Sequence, residues 1–369
     1  LEGTVVNMAA EYVGSGNNVP LLQGDGNFGS AFIPEAAATR YIFARMSPIL
    51  KQLFVKDDYP NLFHQDFEGS SIEPRFYVPT LPLVVINGSE GVSIGFAQKI
   101  LPRHPAEVLK WVKQKADGKK VTADLTPHWV GMKCKVEQGE TDNQWLIVGS
   151  FTRKNKYRLV IDSIPVGYTL KQYHAVLDKL LDDKEIKNWV DHSDNDVFEF
   201  EITVDSAFSD NSDEWILNKL KLIKKVSENY TCIDENNKIV VFESLTDLLN
   251  AWYKKRIEFN DLRKQSVLAK LTKDLDYTNQ RIKFIKAVVD GIIEVRNKSE
   301  EDILKQLENY DPALLENAKS FLNLPMRVLT VEEIAKLVSK AAELKDDHDR
   351  YSALTFEAIL LDDVKTFKF

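Results

Sequence analysis

Cysteine is scarce in this 369-residue chain. Its two cysteines, Cys134 and Cys232, lie about a hundred positions apart and in no CxxC spacing, which argues against a disulfide framework and a zinc ribbon. The six histidines, His64, His104, His128, His174, His192 and His348, show no ligand spacing, so no metal site is expected from this chain alone. No apolar run approaches the ~20 residues needed to cross a bilayer. The start at Leu1 has no charged stretch leading into an apolar one, so neither a membrane partner nor a secretory leader is expected. A cytoplasmic protein of two or three domains is the reading that length and composition leave.

Glycine and proline are also missing where it matters. Neither occurs from Ser244 to Asp290, where Leu268, Leu271, Leu275, Ile282, Ile285 and Val289 recur at three- and four-residue steps among charges. This predicts a helix of about 47 residues, roughly 70 Å long at ~1.5 Å per residue, suited to an arm. A second stretch without either residue runs from Met326 to Phe369, so the two are expected to fold back as an antiparallel pair around a small helical tip. Before them, residues 1–68 read as helical stretches, Thr4 to Val13 and Pro34 to Phe54, around a Gly/Asn-rich loop. Residues 69–243 read as α+β, with short β-like runs at Leu83 to Ile86, Trp145 to Phe151, Arg158 to Ile161 and Val197 to Val204.

Positive charge is in deficit, 48 Lys and Arg against 56 Asp and Glu, which by itself argues against a nucleic-acid partner. The deficit is local. Asp182 to Glu214 carries twelve carboxylates against Lys184 and Lys187, so the rest of the chain is close to neutral. Basic stretches at Lys110 to Lys120 and at Arg153, Lys154, Lys156 and Arg158 read as solvated surface.

One GxGxxG is present, at Gly24, Gly26 and Gly29. Pro20 interrupts any strand before it and Ser30 to Pro34 replaces the helix that should follow, so a dinucleotide site is not supported. Asp194-Asn195-Asp196 imitates a metal-binding DxD but lies in a polar loop. The glycine loop leads instead to Glu35-Ala36-Ala37-Ala38-Thr39-Arg40-Tyr41, an Ala-rich stretch ending in an arginine beside a phenol.

Here the strings become informative together. GDGNFGS followed by Tyr41 within AAATRYIFAR closely resembles the breakage-reunion region of type IIA DNA topoisomerases. Glu73-Pro74, Tyr77-Val78-Pro79, Leu81-Pro82 and Asn87-Gly88-Ser89-Glu90-Gly91-Val92-Ser93-Ile94-Gly95 resemble that family's EP…P…P…NGxxGIxxG block. Ile161-Asp162-Ser163-Ile164-Pro165 stands where the family has ITEIP, and Phe321 to Thr330 is similar to its ILDLRLxxLT. The likeness runs in order through nearly the whole chain. The RYIFAR and ILPRHP wording is most similar to the family's bacteriophage branch, which would place the chain in a host cytoplasm.

The resemblance implies a multidomain α+β fold: a partial winged-helix domain over 1–68, a tower-like α+β domain over 69–243, and a coiled-coil arm with a dimerising exit gate over 244–369. It implies that the chain begins inside the DNA-recognition helix. Tyr41 would be the nucleophile that forms a reversible phosphotyrosine, and Arg40 would offer its planar fork to the scissile phosphate. Val92 stands where the family has an isoleucine that wedges between base steps, and Arg45, Asn27 and Lys99 are further expected DNA contacts. Mg²⁺ and ATP are expected on a separate large subunit carrying Toprim and ATPase domains, double-stranded DNA as substrate, and a homodimer through the exit gate. A non-enzymatic architectural DNA-binding protein, with Tyr41 as mere core, is the alternative.

Overall fold

The computed structural model describes residues 1–369, the side chain of Ser93 excepted. It is a mixed α+β fold. It divides into two compact units, one of residues 1–56, 62–256 and 360–369, the other of 57–61 and 257–359.

The first unit opens with α1 (Glu2–Ala9), β1 (Leu22–Asp25), β2 (Phe43–Met46), α2 (Leu50–Leu53), β3 (His64–Phe67), β4 (Ser70–Pro74), α3 (Leu83–Ile86), β5 (Ser89–Ser93), β6 (Phe96–Ile100) and α4 (Pro105–Ala116). Of the helix expected over Pro34 to Phe54, only the short α2 at its end forms. A single 3₁₀ turn covers Thr39–Tyr41, and the next residues form β2, antiparallel to β1 with Gly24 opposite Ala44. Pairing with a distant strand overrides the helical preference of the alanines. Leu83–Ile86, expected as a strand, is helical: an apolar run of four does not discriminate. Pro82 starts the turn, and Asn18 Nδ2 lies 2.7–3.0 Å from the carbonyls of Ile86, Arg103 and His128.

The chain continues through β7 (Lys135–Gln138), β8 (Gln144–Val148), β9 (Ser150–Asn155), β10 (Arg158–Ser163), α5 (Leu170–Asp182), β11 (Asn188–Asp191), β12 (Phe200–Thr203), α6 (Ser206–Ser209), α7 (Asp213–Lys219), β13 (Ile223–Ser227), β14 (Tyr230–Ile233) and β15 (Ile239–Phe242). The expected run Trp145 to Phe151 is split at Gly149, whose amide donates to Leu222 O at 2.8 Å. One sheet has the order β11-β12-β10-β9 and another β13-β8-β7. Leu159, Ile161, Tyr173, Leu177, Phe200, Ile202 and Ile216 form the core of the first. Burial of so many large apolar side chains, at ~25 cal/mol per Å², is its main stabilisation. The local charge imbalance resolves inside this region. Arg153 pairs with Asp213, Lys156 with Asp210 at 3.6 Å and Arg158 with Glu201 at 3.4 Å, so the basic strand face meets the acidic segment.

A buried carboxylate joins several of these elements. Glu228 accepts from both Nη atoms of Arg103 at 2.9 and 2.7 Å, from Trp145 Nε1 at 2.7 Å, from Tyr230 Oη at 2.8 Å and from the amide of Leu101 at 2.7 Å. Arg103 also donates to the carbonyls of Leu125 and Leu101, at 2.7 and 2.6 Å.

The helix α8 (Leu245–Val289) has 45 residues, close to the expected length. It is followed by α9 (Glu300–Tyr310), α10 (Ala318–Leu322), α11 (Val331–Ala353) and α12 (Phe356–Val364). Within the second unit, Asn260 Nδ2 donates to Phe356 O at 2.8 Å, Lys264 Nζ to Ser352 O at 2.8 Å, and Arg281 Nη2 to Glu333 at 3.2 Å. Rising numbers on α8 meet falling numbers on the return, which is an antiparallel pair. The return is not one helix, as the glycine- and proline-free stretch suggested. It breaks at Leu354, where Thr355 Oγ1 caps α12 by accepting from Ala358 N at 3.1 Å and Lys264 Nζ takes the freed Leu354 carbonyl at 2.6 Å. At the far end Phe284, Ile285, Leu307, Leu314 and Phe321 form a separate core, with the Phe284 and Phe321 rings stacked at 5.4 Å.

Removing one member of a buried ion pair strands the other. Glu228→Ala is therefore expected to lower stability by about 3–5 kcal/mol, read as a fall in denaturation midpoint, while Lys156→Ala in the exposed turn between β9 and β10 should cost under about 1 kcal/mol.

Candidate active site

The glycine loop and the tyrosine belong to one small module. Ala37 N donates to Asn27 O at 3.0 Å, and Gly29 N donates to Asn27 Oδ1 at 2.9 Å, so Asn27 holds the loop and the chain that leaves it. Gly26 has φ +111°, and a Cβ there would lie 2.9 Å from Ile42 Cγ2 and 3.1 Å from the carbonyl oxygen of Tyr41. The glycine thus permits the loop backbone to press on the tyrosine backbone. Tyr12 lies under the same loop. Burial raises its phenol above the ordinary value, and the Glu35 carboxylate pushes in the same direction.

Tyr41 closes the 3₁₀ turn, its amide donating to Ala38 O at 2.9 Å. The residue is 65% exposed, and the Arg40 guanidinium carbon sits 4.8 Å from the ring centroid. Phe43 and Met46 on β2 are also largely exposed. Arg45 stands opposite Gln23 and donates Nε to its Oε1 at 3.2 Å. Tyr41, Arg40, Arg45 and Asn27 are thereby gathered on one module.

Val92 and Lys99 stand on another, the β5–β6 hairpin. Ser93 pairs with Phe96, so Ile94-Gly95 is a two-residue turn, with Gly95 at φ +78°. This turn forms the tip of the hairpin. Val92 is 89% exposed and Ile94 99%. Ile94 does not stand out in the sequence, although an Ile-Gly pair between two short β-like runs is the signal that marks it. Lys99 faces Glu90 across the ladder, Nζ to Oε1 2.9 Å, so its charge is already partnered. Beside them Lys224 is half-buried. Burial lowers its pKa first and Lys99 lowers it further, against the opposing pull of Glu90.

The sequence model that describes the A subunit of DNA gyrase/topoisomerase IV matches residues 1–365. This chain belongs to that family. Among its relatives, the DNA topoisomerase medium subunit of Enterobacteria phage T4 is 30% identical over 347 residues, 90% of this chain and 75% of that one. The mitochondrial DNA topoisomerase 2 of Dictyostelium discoideum is 26% identical over 382 residues; the match takes in all of this chain, which spans only 29% of that relative's length. In fold, the chain is similar to the Plasmodium falciparum topoisomerase II DNA-binding, cleavage and re-ligation domain, with a TM-score of 0.86 over 98% of this chain and 54% of that one at 24% identity.

In this member of the gyrase and topoisomerase IV family, the glycine loop serves a neighbouring backbone. Gly26→Ala should force Tyr41 and its turn to shift, at a cost of about 1–3 kcal/mol in local strain. The expected readout is faster hydrogen exchange in a peptide containing the Tyr41 amide, with exchange over β10 unchanged.

Proposed function

We propose that this chain is the DNA-cleaving and religating subunit of an ATP-dependent type IIA DNA topoisomerase. The observation that carries the reading is the exposed phenol of Tyr41 beside Arg40 on a turn fixed by the glycine loop. Tyr41 Oη attacks a backbone phosphorus and forms a P–O bond as the P–O3′ bond breaks. The phenolic proton passes to an acceptor, and the departing 3′ oxygen gains one. Arg40 swings from the ring to the non-bridging oxygens, where its fork stabilises the added charge. A second duplex passes through the paired breaks, and the 3′ hydroxyl then attacks the phosphotyrosine to restore the strand.

Arg45 and Asn27 would contact the backbone near the break, with Lys99 contributing at the hairpin. Val92 would wedge into a base step, which costs a few kcal/mol in lost stacking and favours a bent duplex. Among the described residues no three His, Cys, Asp or Glu side chains converge as a metal site. Mg²⁺ and ATP fall to a partner that carries Toprim and ATPase domains. In this reading 1–68 is part of a winged-helix domain, 69–243 a tower and 244–369 the arm and exit gate. The chain would work in the cytoplasm, that of the host if it is phage-encoded. No helix is long and apolar enough to cross a membrane.

Tyr41→Phe removes one hydroxyl and keeps the ring. It should abolish covalent capture of DNA in a denaturing gel, with Mg²⁺ and the large subunit present, while noncovalent affinity stays within about twofold. Wild-type amounts of 5′-linked complex from the variant would end the assignment.

The arm generates a separate expectation. Met326, Val331 and Val338 leave large apolar side chains exposed in the second unit, the kind of surface that a twofold contact covers. Sedimentation of the chain alone at micromolar concentration should give a dimer without the large subunit or DNA. A clean monomer would count against a self-sufficient exit gate.

A further inference from the structure

The β5–β6 hairpin has two unequal faces. Register pairs Val92 with Ala97 and Gly91 with Gln98, so side chains alternate: Val92 stands on one face and Gln98 on the other. On the Gln98 face, Ser89 Oγ donates to Gln98 Oε1 at 2.6 Å. Gln98 Nε2 donates to Thr231 O on β14 at 2.7 Å and lies 3.4 Å from Cys232 Sγ. The backbone of β6 meets the chain just before β14 at one isolated bridge, Lys99 with Asn229, with bonds of 3.0 and 2.8 Å. Next to it, Leu101 N is held by the buried Glu228 at 2.7 Å. Moving from that bridge toward the tip, the Gln98 amide makes the next connection between the hairpin and β14.

A two-stranded ribbon is marginal in water when it stands alone. Its tip has a fixed direction only if its base is tied to something larger. We propose that Gln98 is a positioning residue: by joining Ser89 within the hairpin to the Thr231 carbonyl outside it, it aims the Val92–Ile94 tip. The inference rests on the reading that this tip engages DNA, and Gln98 itself touches no substrate in it. The glutamine suits the role because its amide accepts from one strand and donates to another with the same planar group. Gly91 opposite adds no side chain of its own.

The test uses the full chain and three variants: Gln98→Leu, which removes both bonds at similar volume; Gln98→Glu, which keeps the acceptor for Ser89 and loses the donor to Thr231; and Ser89→Ala. Without DNA, exchange in a peptide covering residues 89–97 should quicken by about tenfold in Gln98→Leu, with β9 and β10 unchanged. Unchanged exchange at the hairpin, or equal acceleration throughout the chain, overturns the proposal. Should Gln98→Leu not fold, Gln98→Glu and Ser89→Ala carry the same comparison. With the large subunit present, and a short duplex labelled at both ends, energy transfer should report less bending for Gln98→Leu and for Val92→Ala. The double variant should bend DNA no less than Val92→Ala alone, because Gln98 acts through the tip. Additive losses, or normal bending by Gln98→Leu when Val92→Ala is impaired, overturn it. Normal bending by Val92→Ala alongside accelerated hairpin exchange in Gln98→Leu would instead remove the DNA role of the tip and leave the aiming of the hairpin standing.

Discussion

The Glu228 carboxylate is the interaction on which the first unit depends. A bare carboxylate in a protein interior costs several kcal/mol in lost hydration, and a single buried ion pair seldom recovers that much. Glu228 has a full set of donors: the Arg103 fork, an indole, a phenol and a backbone amide. Those donors come from the segment after β6, from β8 and from β14. Strand pairing does not join them, since β14 and β15 pair only with each other, β5 only with β6, and β8 only with β7 and β13. The carboxylate makes one body of them, and its carbonyl-bound arginine extends that body to Leu125.

Electrostatics elsewhere follow a different rule. The acidic stretch and the basic β9–β10 hairpin look like separate features in sequence, but Arg153, Lys156 and Arg158 each find a carboxylate from that stretch. Exposed pairs of this kind contribute well under about 1 kcal/mol each. Their consequence is for the surrounding field: a hairpin that seems ready to attract phosphate has three of its cations met by carboxylates of its own fold.

Legibility varied with how local the determining forces were. The helix α8 could be read because an unbroken apolar period and the lack of glycine and proline are properties of the segment itself. The break at Leu354 could not, because Lys264, ninety positions away, receives the freed carbonyl. Tyr41 was singled out from its neighbours in sequence, yet its turn was expected as helix, since the contacts that draw the chain away from that choice, Ala37 to Asn27 and β2 to β1, are not local. The role of Gly26 was equally hidden: a GxGxxG string does not say that the atom a side chain would strike belongs to Tyr41. Glu228 carried no signal, its partners being spread from Leu101 to Tyr230.

The guanidinium of Arg40 resting over the Tyr41 ring has one more consequence. At an exposed site such a contact is worth about 0.5–1 kcal/mol, whereas each charge-assisted hydrogen bond to an anionic oxygen contributes about 1.5–3 kcal/mol. An arriving phosphodiester therefore outbids the ring for the arginine. In its absence the cation covers an aromatic face, so the guanidinium has a resting partner that an anion can displace. On the proposed reading, that exchange would make reactivity conditional on substrate without any moving lid.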